Sequence, residues 1–211
     1  MRRVQVLTGI ASAGLMAATM VMGAPANARD VINGTGGDDH LRGTPRSDTI
    51  RGFAGHDRVY ALAGPDRIFG GSGADGIFAG RGDDKVRGDA ENDGLIGGPD
   101  ADTIYGDTGQ DRLIGGGGSD VIFGGAGKDG INGRQGSDVI FGGARGDFHI
   151  IDGPGTDTIY GGLGNDRVPL TNDGTPDTVH CGPGLDHVFG HISGNTIATD
   201  CEEVHATAPG R

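Results

Sequence analysis

Aspartate returns at every ninth position along this chain, at Asp39, Asp48, Asp57, Asp66, Asp75, Asp84, Asp93, Asp102, Asp111, Asp120, Asp129, Asp138 and Asp147. After small insertions the series resumes at Asp157, Asp166, Asp177 and Asp186, which makes seventeen units. Carboxylates at such regular spacing have three chemical uses. They share protons as acid–base pairs, they cap turns by accepting nearby backbone N–H groups, or they give hard oxygen ligands to a divalent cation. A single Asp is most simply a turn cap. Seventeen in register, each with the same neighbours, point to the cation.

The neighbours define the element that must position the carboxylates. Two residues after each Asp stands an aliphatic residue, from Leu41 and Ile50 through Ile122 and Ile140 to Val179 and Val188, with His149 as the single exception. Gly fills the first and the fourth place of the unit in twelve of the seventeen copies each, as in GGSGADGIF at 70–78 and GGGGSDVIF at 115–123. Nine residues with one obligatory aliphatic leave room for a strand of about three residues and a turn of about six, and so short a strand must pair with copies above and below it. The glycines suit a turn that needs positive φ and lets stacked backbones approach closely. Where the second place lacks Gly, Asp89, Asp107 and Asp173 stand in, and Asp tolerates the left-handed region better than most residues.

Composition narrows the classes further. Gly supplies 46 of 211 residues, Trp is absent and only 34% of the chain is hydrophobic, which excludes a thick aromatic core. With no Gly triplet period and only 9 Pro, the chain is not collagen-like. A formal charge of −12 argues against a nucleic-acid partner. So much acid on a Gly-rich backbone means either disorder or neutralisation by a cation, and the spacing of the acids favours the cation.

The unit resembles the calcium-binding nonapeptide of the RTX (repeats-in-toxin) family, G-G-x-G-x-D-x-U-x, over residues 34–189. The resemblance implies an all-β fold, a right-handed parallel β-roll in which two units make one coil and residues eighteen apart stack. It also implies several Ca2+ ions, each held between loops i and i+18 by carbonyls and by the Asp side chains. Seventeen units then make roughly eight coils. Both loops of a pair need an intact fourth-place Gly, which Arg46, Glu91, Asp100, Arg145 and Thr175 replace. The expected ligands are Asp39, Asp57, Asp66, Asp75, Asp84, Asp111, Asp120, Asp129, Asp138 and Asp157, with the loop residues Gly73, Gly82, Gly118, Gly127 and Gly136. Arg145 and His149 fall in one unit, 142–150, which reads as a break in the array.

The two ends differ from the array. Residues 1–28 read as a secretory signal peptide: Arg2 and Arg3 lead an uncharged run from Val4 to Met22, and Ala26-Asn27-Ala28 forms a processing site. An uncleaved membrane anchor is the alternative, which the processing site disfavours. Residues 29–33 are a short lead. At 190–211 the nonapeptide is lost, and the stretch from Cys181 to Glu202 resembles the closing unit of secreted actinobacterial proteins of this type. Cys201 follows Cys181 by a little over one such coil, so a capping disulfide is expected in an oxidising compartment. His180, His187 and His191 lie near but lack tight ligand spacing, and oxidised Cys residues are no zinc ligands.

Eight of the ten aromatic residues take the ninth place, and Tyr105, Phe123, Phe141 and Tyr160 should stack as a ladder that stiffens one sheet. The second reading of this stripe is a binding face for a glycan, protein or surface partner, as in an adhesin. G-x-S-x-G, H-E-x-x-H and EF-hand patterns are absent, and the G-x-G-x-x-G matches at 71–76 and 125–130 are products of the repeat. Only Arg29 to Asn33 stand between the leader and the repeats, so no protease, lipase or pore-forming activity carries over. The expectation is a secreted, extracellular, non-catalytic calcium-binding protein without stable membrane insertion.

Overall fold

The computed structural model describes residues 30–206, so the expected signal peptide and the last five residues lie outside the described part. Within it the chain is a parallel β-solenoid, and no helix occurs among the described residues. Successive strands alternate between two sides of the roll. A ten-stranded sheet runs from Val31–Asn33 through Thr49–Ala54 and every second strand to Thr196–Ile197. The opposite side holds a seven-stranded sheet from His40–Arg42 to His149–Ile151, then a three-stranded sheet of Arg167–Leu170, His187–Gly190 and Glu203–Ala206. All pairings are parallel and keep the repeat in register, Ile50 against Ile68 and Ile122 against Ile140 on one side, Val59 against Ile77 on the other.

The period explains the packing. Each strand turns its aliphatic residue inward, and two residues on it turns in Gly or Ala, such as Ala61 and Ala79. Ile50, Ile68, Val86, Ile104, Ile122, Ile140 and Ile159 form one fully buried column against Val59, Ile77, Leu95 and Leu113 of the other. The core is one aliphatic residue thick per strand, which is why a chain so poor in apolar residues can fold. Burying each such side chain contributes about 1.5–3 kcal/mol.

Three departures from the sequence expectation have local causes. First, there are about ten coils and not eight, because strands outside the nonapeptides extend the stack. Val31–Asn33 pairs with Thr49–Ala54 and buries Ile32, and Glu203–Ala206 pairs beyond His187–Gly190. Second, the unit that reads as a break carries an inserted residue: Phe148 is exposed, and Ile150, one residue past His149, fills the core place beside Ile131, so the aliphatic series has no true exception there. The second sheet ends there, while the ten-stranded sheet crosses the same level unbroken through Val139–Ala144 and Thr158–Leu163. Third, Asp89 (φ 75°) and Asp107 (φ 69°) do take the left-handed conformation, but Asp173 does not; Gly174 beside it does (φ 86°). The disulfide joins Cys181 and Cys201 with Cα atoms 5.2 Å apart, Cys181 filling the inward first place of its unit.

Candidate metal centre

Stacking turns the repeated Asp into two continuous columns. The backbone N–H of each donates to Oδ1 of the Asp one coil on, as in Asp39 to Asp57 (2.8 Å), Asp57 to Asp75 (2.8 Å) and Asp111 to Asp129 (2.9 Å) along one edge. Along the other edge run Asp66 to Asp84 (2.8 Å), Asp120 to Asp138 (2.8 Å) and Asp138 to Asp157 (2.7 Å). The strand geometry dictates this, because the amide just before each strand points along the stack. The cap closes both columns with other acceptors: Asp177 donates to Asn195 Oδ1 and Asp186 to Glu202 Oε2.

The second oxygen has no such use. From Asp57 to Asp186, fifteen Oδ2 atoms are buried without a hydrogen-bond partner. In the ten of these loops that have Gly at the inward first place, the Oδ2 lies beside that Gly. A Cβ added at Gly115 would run into Asp120 Oδ2 and the Gly133 carbonyl 2.7 Å away, and Gly97 has the same arrangement with Asp102 and the Gly115 carbonyl at 2.8 Å. Glycine there keeps open a narrow space lined by a carboxylate oxygen and a carbonyl from the next coil. A buried carboxylate with an unpaired oxygen is costly as an anion, so it must take up a proton or a cation. Burial accordingly lifts these carboxyls, against the lowering effect of the donated N–H. Asp93 and Asp102 rise to about 8, Asp66, Asp111, Asp120, Asp147 and Asp157 to about 7, and Asp75, Asp84, Asp166 and Asp177 to about 6. An oxygen-only donor set of carboxylates and carbonyls fits a hard cation such as Ca2+ and suits no thiophilic one.

All ten Asp expected as ligands stand in these columns, but they are not equivalent. Asp39 is half-buried, and its Oδ2 accepts the Thr35 N–H (2.6 Å) and hydroxyl (2.9 Å). Asp48 is held in the same way by Thr44, at 2.6 Å and 3.0 Å. Both Thr residues occupy the second place of the repeat, where Gly is usual. Asp93, Asp102, Asp147 and Asp177, whose loops lack the fourth-place Gly, and Asp166 and Asp186, which are outside the expected set although their loops keep Gly164 and Gly184, share the buried, unpartnered Oδ2 of the expected ligands. The fourth-place glycines pack against the loop one coil before: a Cβ at Gly73 would strike the Gly55 backbone, and the same holds for Gly82 on Gly64, Gly118 on Asp100, Gly127 on Gly109 and Gly136 on Gly118. Glu91, Asp100 and Arg145 keep the left-handed backbone at that place without Gly.

One acid escaped the periodic reading because it lies off the Asp register. Asp152 replaces an inward first-place Gly, is fully buried, and sits with Asp157 and Asp177 so that carboxylate oxygens of all three lie within 4.8 Å of one another. It accepts the N–H groups of Gly153 (2.7 Å) and Thr171 (3.1 Å), while Asp157 and Asp177 keep unpartnered oxygens. On the outer surface the aromatic ladder is present, with ring centroids 4.8–4.9 Å apart from Tyr105 to Tyr160, and His180 extends it at 5.0 Å.

A family profile for the RTX calcium-binding nonapeptide repeat (4 copies) matches residues 33–68, 60–95, 96–131, 114–148 and 149–168. No curated protein matches the chain. Among the described residues no helix is long and apolar enough to cross a membrane.

Proposed function

The chain belongs to the RTX calcium-binding nonapeptide-repeat family, and from that premise we propose that it is a secreted, non-catalytic protein whose roll folds as it takes up several Ca2+ ions. The single observation that carries this reading is the set of fifteen buried Oδ2 atoms without partners. The ligands proposed are Asp57, Asp66, Asp75, Asp84, Asp111, Asp120, Asp129, Asp138 and Asp157, with carbonyls of loops that include Gly73, Gly82, Gly118, Gly127 and Gly136. Asp39, already engaged by Thr35, is the weakest of the set. Bound calcium supplies the positive charge that lets these carboxylates stay ionised inside the roll.

The protein's own part is to hold the oxygens in line. From Asp57 onward each Asp Oδ1 is held by the N–H of the preceding coil, which orients the carboxylate, and the buried aliphatic column keeps the loops stacked. Without a counter-charge the two columns repel, and one thin core is too little to offset that. Binding free energy is then folding free energy. In the proposed division, residues 1–28 direct export, 34–189 bind calcium and 190–211 cap the roll. Low cytosolic calcium would keep the chain unfolded until it is outside.

Calcium titration of the processed chain, followed by circular dichroism and native mass spectrometry, tests this reading. We expect little β structure in chelator, a cooperative gain at roughly 10⁻⁴–10⁻³ M calcium, and poor replacement by magnesium. A chelated sample with its full β signal at low salt would overturn it. The alternative, an adhesin with structural calcium, rests on the Tyr105–His180 ladder. It requires that replacing Phe123 and Phe141 by Ala abolish attachment to a glycan, protein or surface without changing the calcium count.

A further inference from the structure

The cap holds a second group of metal-ligating side chains that takes no part in the aspartate columns. His187 and Glu203 are directly opposed on neighbouring strands of the three-stranded sheet, and His205 follows Glu203 by two residues, on the same face. Donor atoms of the three side chains all lie within 4.8 Å of one another. The rings of His187 and His205 stand 5.1 Å apart and nearly perpendicular. Glu202, not Glu203, closes the aspartate column, so Glu203 is spared for this face.

We propose that His187, Glu203 and His205 bind a borderline divalent transition ion, with Zn2+ as the type, separately from calcium. Donor chemistry sets the class: imidazole nitrogen suits zinc, copper and nickel, whereas calcium takes oxygen. Two imidazoles and one carboxylate are a known zinc ligand set that leaves a fourth position to water. Ligands of one zinc ion stand about 2.0–2.2 Å from it, so the three donors need only close inward, which these partly or fully exposed side chains are free to do. Their backbones are already fixed. His187 N–H donates to Asp166 O (2.9 Å), Glu203 N–H donates to Asp186 O (3.0 Å), and the Cys181–Cys201 disulfide anchors the chain two residues before Glu203. Arg167, paired with His187 on its other side, has its guanidinium over the Phe189 ring at 5.5 Å.

The sequence window around the cysteines suggested a different trio, His180, His187 and His191. Topology separates these: His180 belongs to the ten-stranded sheet and stacks on Tyr160. The partners of His187 come instead from the last strand, all four residues of which are exposed. None of its own residues is buried, so an ion bridging it to His187 would tie down the open end of the roll.

The test is a zinc titration of the calcium-loaded protein in excess calcium, read by calorimetry and by native mass spectrometry. We expect about one zinc per chain at micromolar concentration, with calcium unchanged, and increased amide protection over residues 203–206. H205A and E203Q should bind zinc about tenfold or more weakly while keeping the wild-type calcium count, which also reports that they fold. H180A and H191A should bind as the wild type does. Zinc uptake undiminished in an H187A/H205A variant, displacement of zinc by calcium, or no uptake at all would each overturn the proposal.

Discussion

At the start of the roll, Asp39 and Asp48 hand their second carboxylate oxygen to Thr35 and Thr44, each of which offers both an N–H and a hydroxyl. One unit later Asp57 has the same backbone setting and no such donor, and neither has any repeat Asp after it. The difference comes from one residue per loop. Thr at the second place turns its N–H into the carboxylate, whereas the left-handed backbone at Gly71, Gly80 or Gly125 takes that amide elsewhere. The first rungs are therefore complete as protein alone, and the later rungs are complete only with something bound. A solenoid end needs self-sufficient rungs, since it lacks a neighbour on one side. Its interior can leave oxygens open and make folding conditional on a ligand.

The largest effect should come from pH in the metal-free chain. Burial places Asp93 and Asp102 near 8 and Asp120 near 7, above the ~3.9 of an unfolded Asp. A carboxyl raised in the folded state binds more protons there. Its stabilising effect is full below the unfolded value and is lost as pH rises through the folded one. In chelator, β structure should therefore grow as pH falls from about 8 towards about 4. With calcium present the order reverses, because protons compete for the same oxygens and the calcium midpoint rises on acidification. Circular dichroism across this range checks both directions. Equal β content in chelator at the two ends would mean that the interior carboxylates are satisfied as Asp39 is.

The next effect is local. Asp120→Ala should lose at least one calcium ion and destabilise the loaded protein, with roughly 1–3 kcal/mol from the orphaned Asp102 amide alone. Asp48→Ala should leave the ion count unchanged and cost about 1 kcal/mol for the lost Thr44 contacts. Equal ion losses in native mass spectra would erase the distinction between the two regions. The converse change sharpens it: with Gly in place of Thr44 and Arg46, the Asp48 loop regains the family pattern, and the double variant should bind one ion more than the wild type.

How far the sequence discloses this arrangement depends on whether a feature is periodic. The aliphatic two residues after Asp predicted the buried column, the ninth-place aromatics predicted the Tyr105–Tyr160 ladder, and coil length placed Cys201 beside Cys181. Features off the period stayed hidden. Phe148 is a single inserted residue, and counting straight through it makes His149 an exception to the series and hides Ile150 as the core residue. Asp152 stands in a glycine place, so its approach to Asp157 and Asp177 is visible only in three dimensions. Nor does the pattern disclose that Glu91 and Asp100 adopt the left-handed backbone of the fourth place without Gly and leave the columns stacked. Asn195 and Glu202 end the columns in a segment with no repeat to count.

The smallest effect separates backbone strain from ion binding in the two regions. Phe53 occupies the second place at φ 81°, with its side chain about half exposed, directly under Gly71 in the stack. Arg134 does the same in the interior at φ 71°. A left-handed backbone costs an L-residue about 1–2 kcal/mol, and Gly escapes most of it while losing more entropy on folding. Phe53→Gly and Arg134→Gly should thus each stabilise the calcium-loaded protein by about 1 kcal/mol, or roughly 2–4 °C in Tm for a chain of this size. Neither touches a carboxylate, so neither should alter the ion count. At the Thr44 loop the same kind of substitution should behave differently, removing donors and opening a carboxylate to calcium. A thermal melt that shows stabilisation by Phe53→Gly without added ions, beside an added ion in the Thr44 and Arg46 double variant, would show that the second place governs strain in one loop and occupancy in another. Destabilisation by Phe53→Gly would mean that its exposed ring contributes more than its backbone costs.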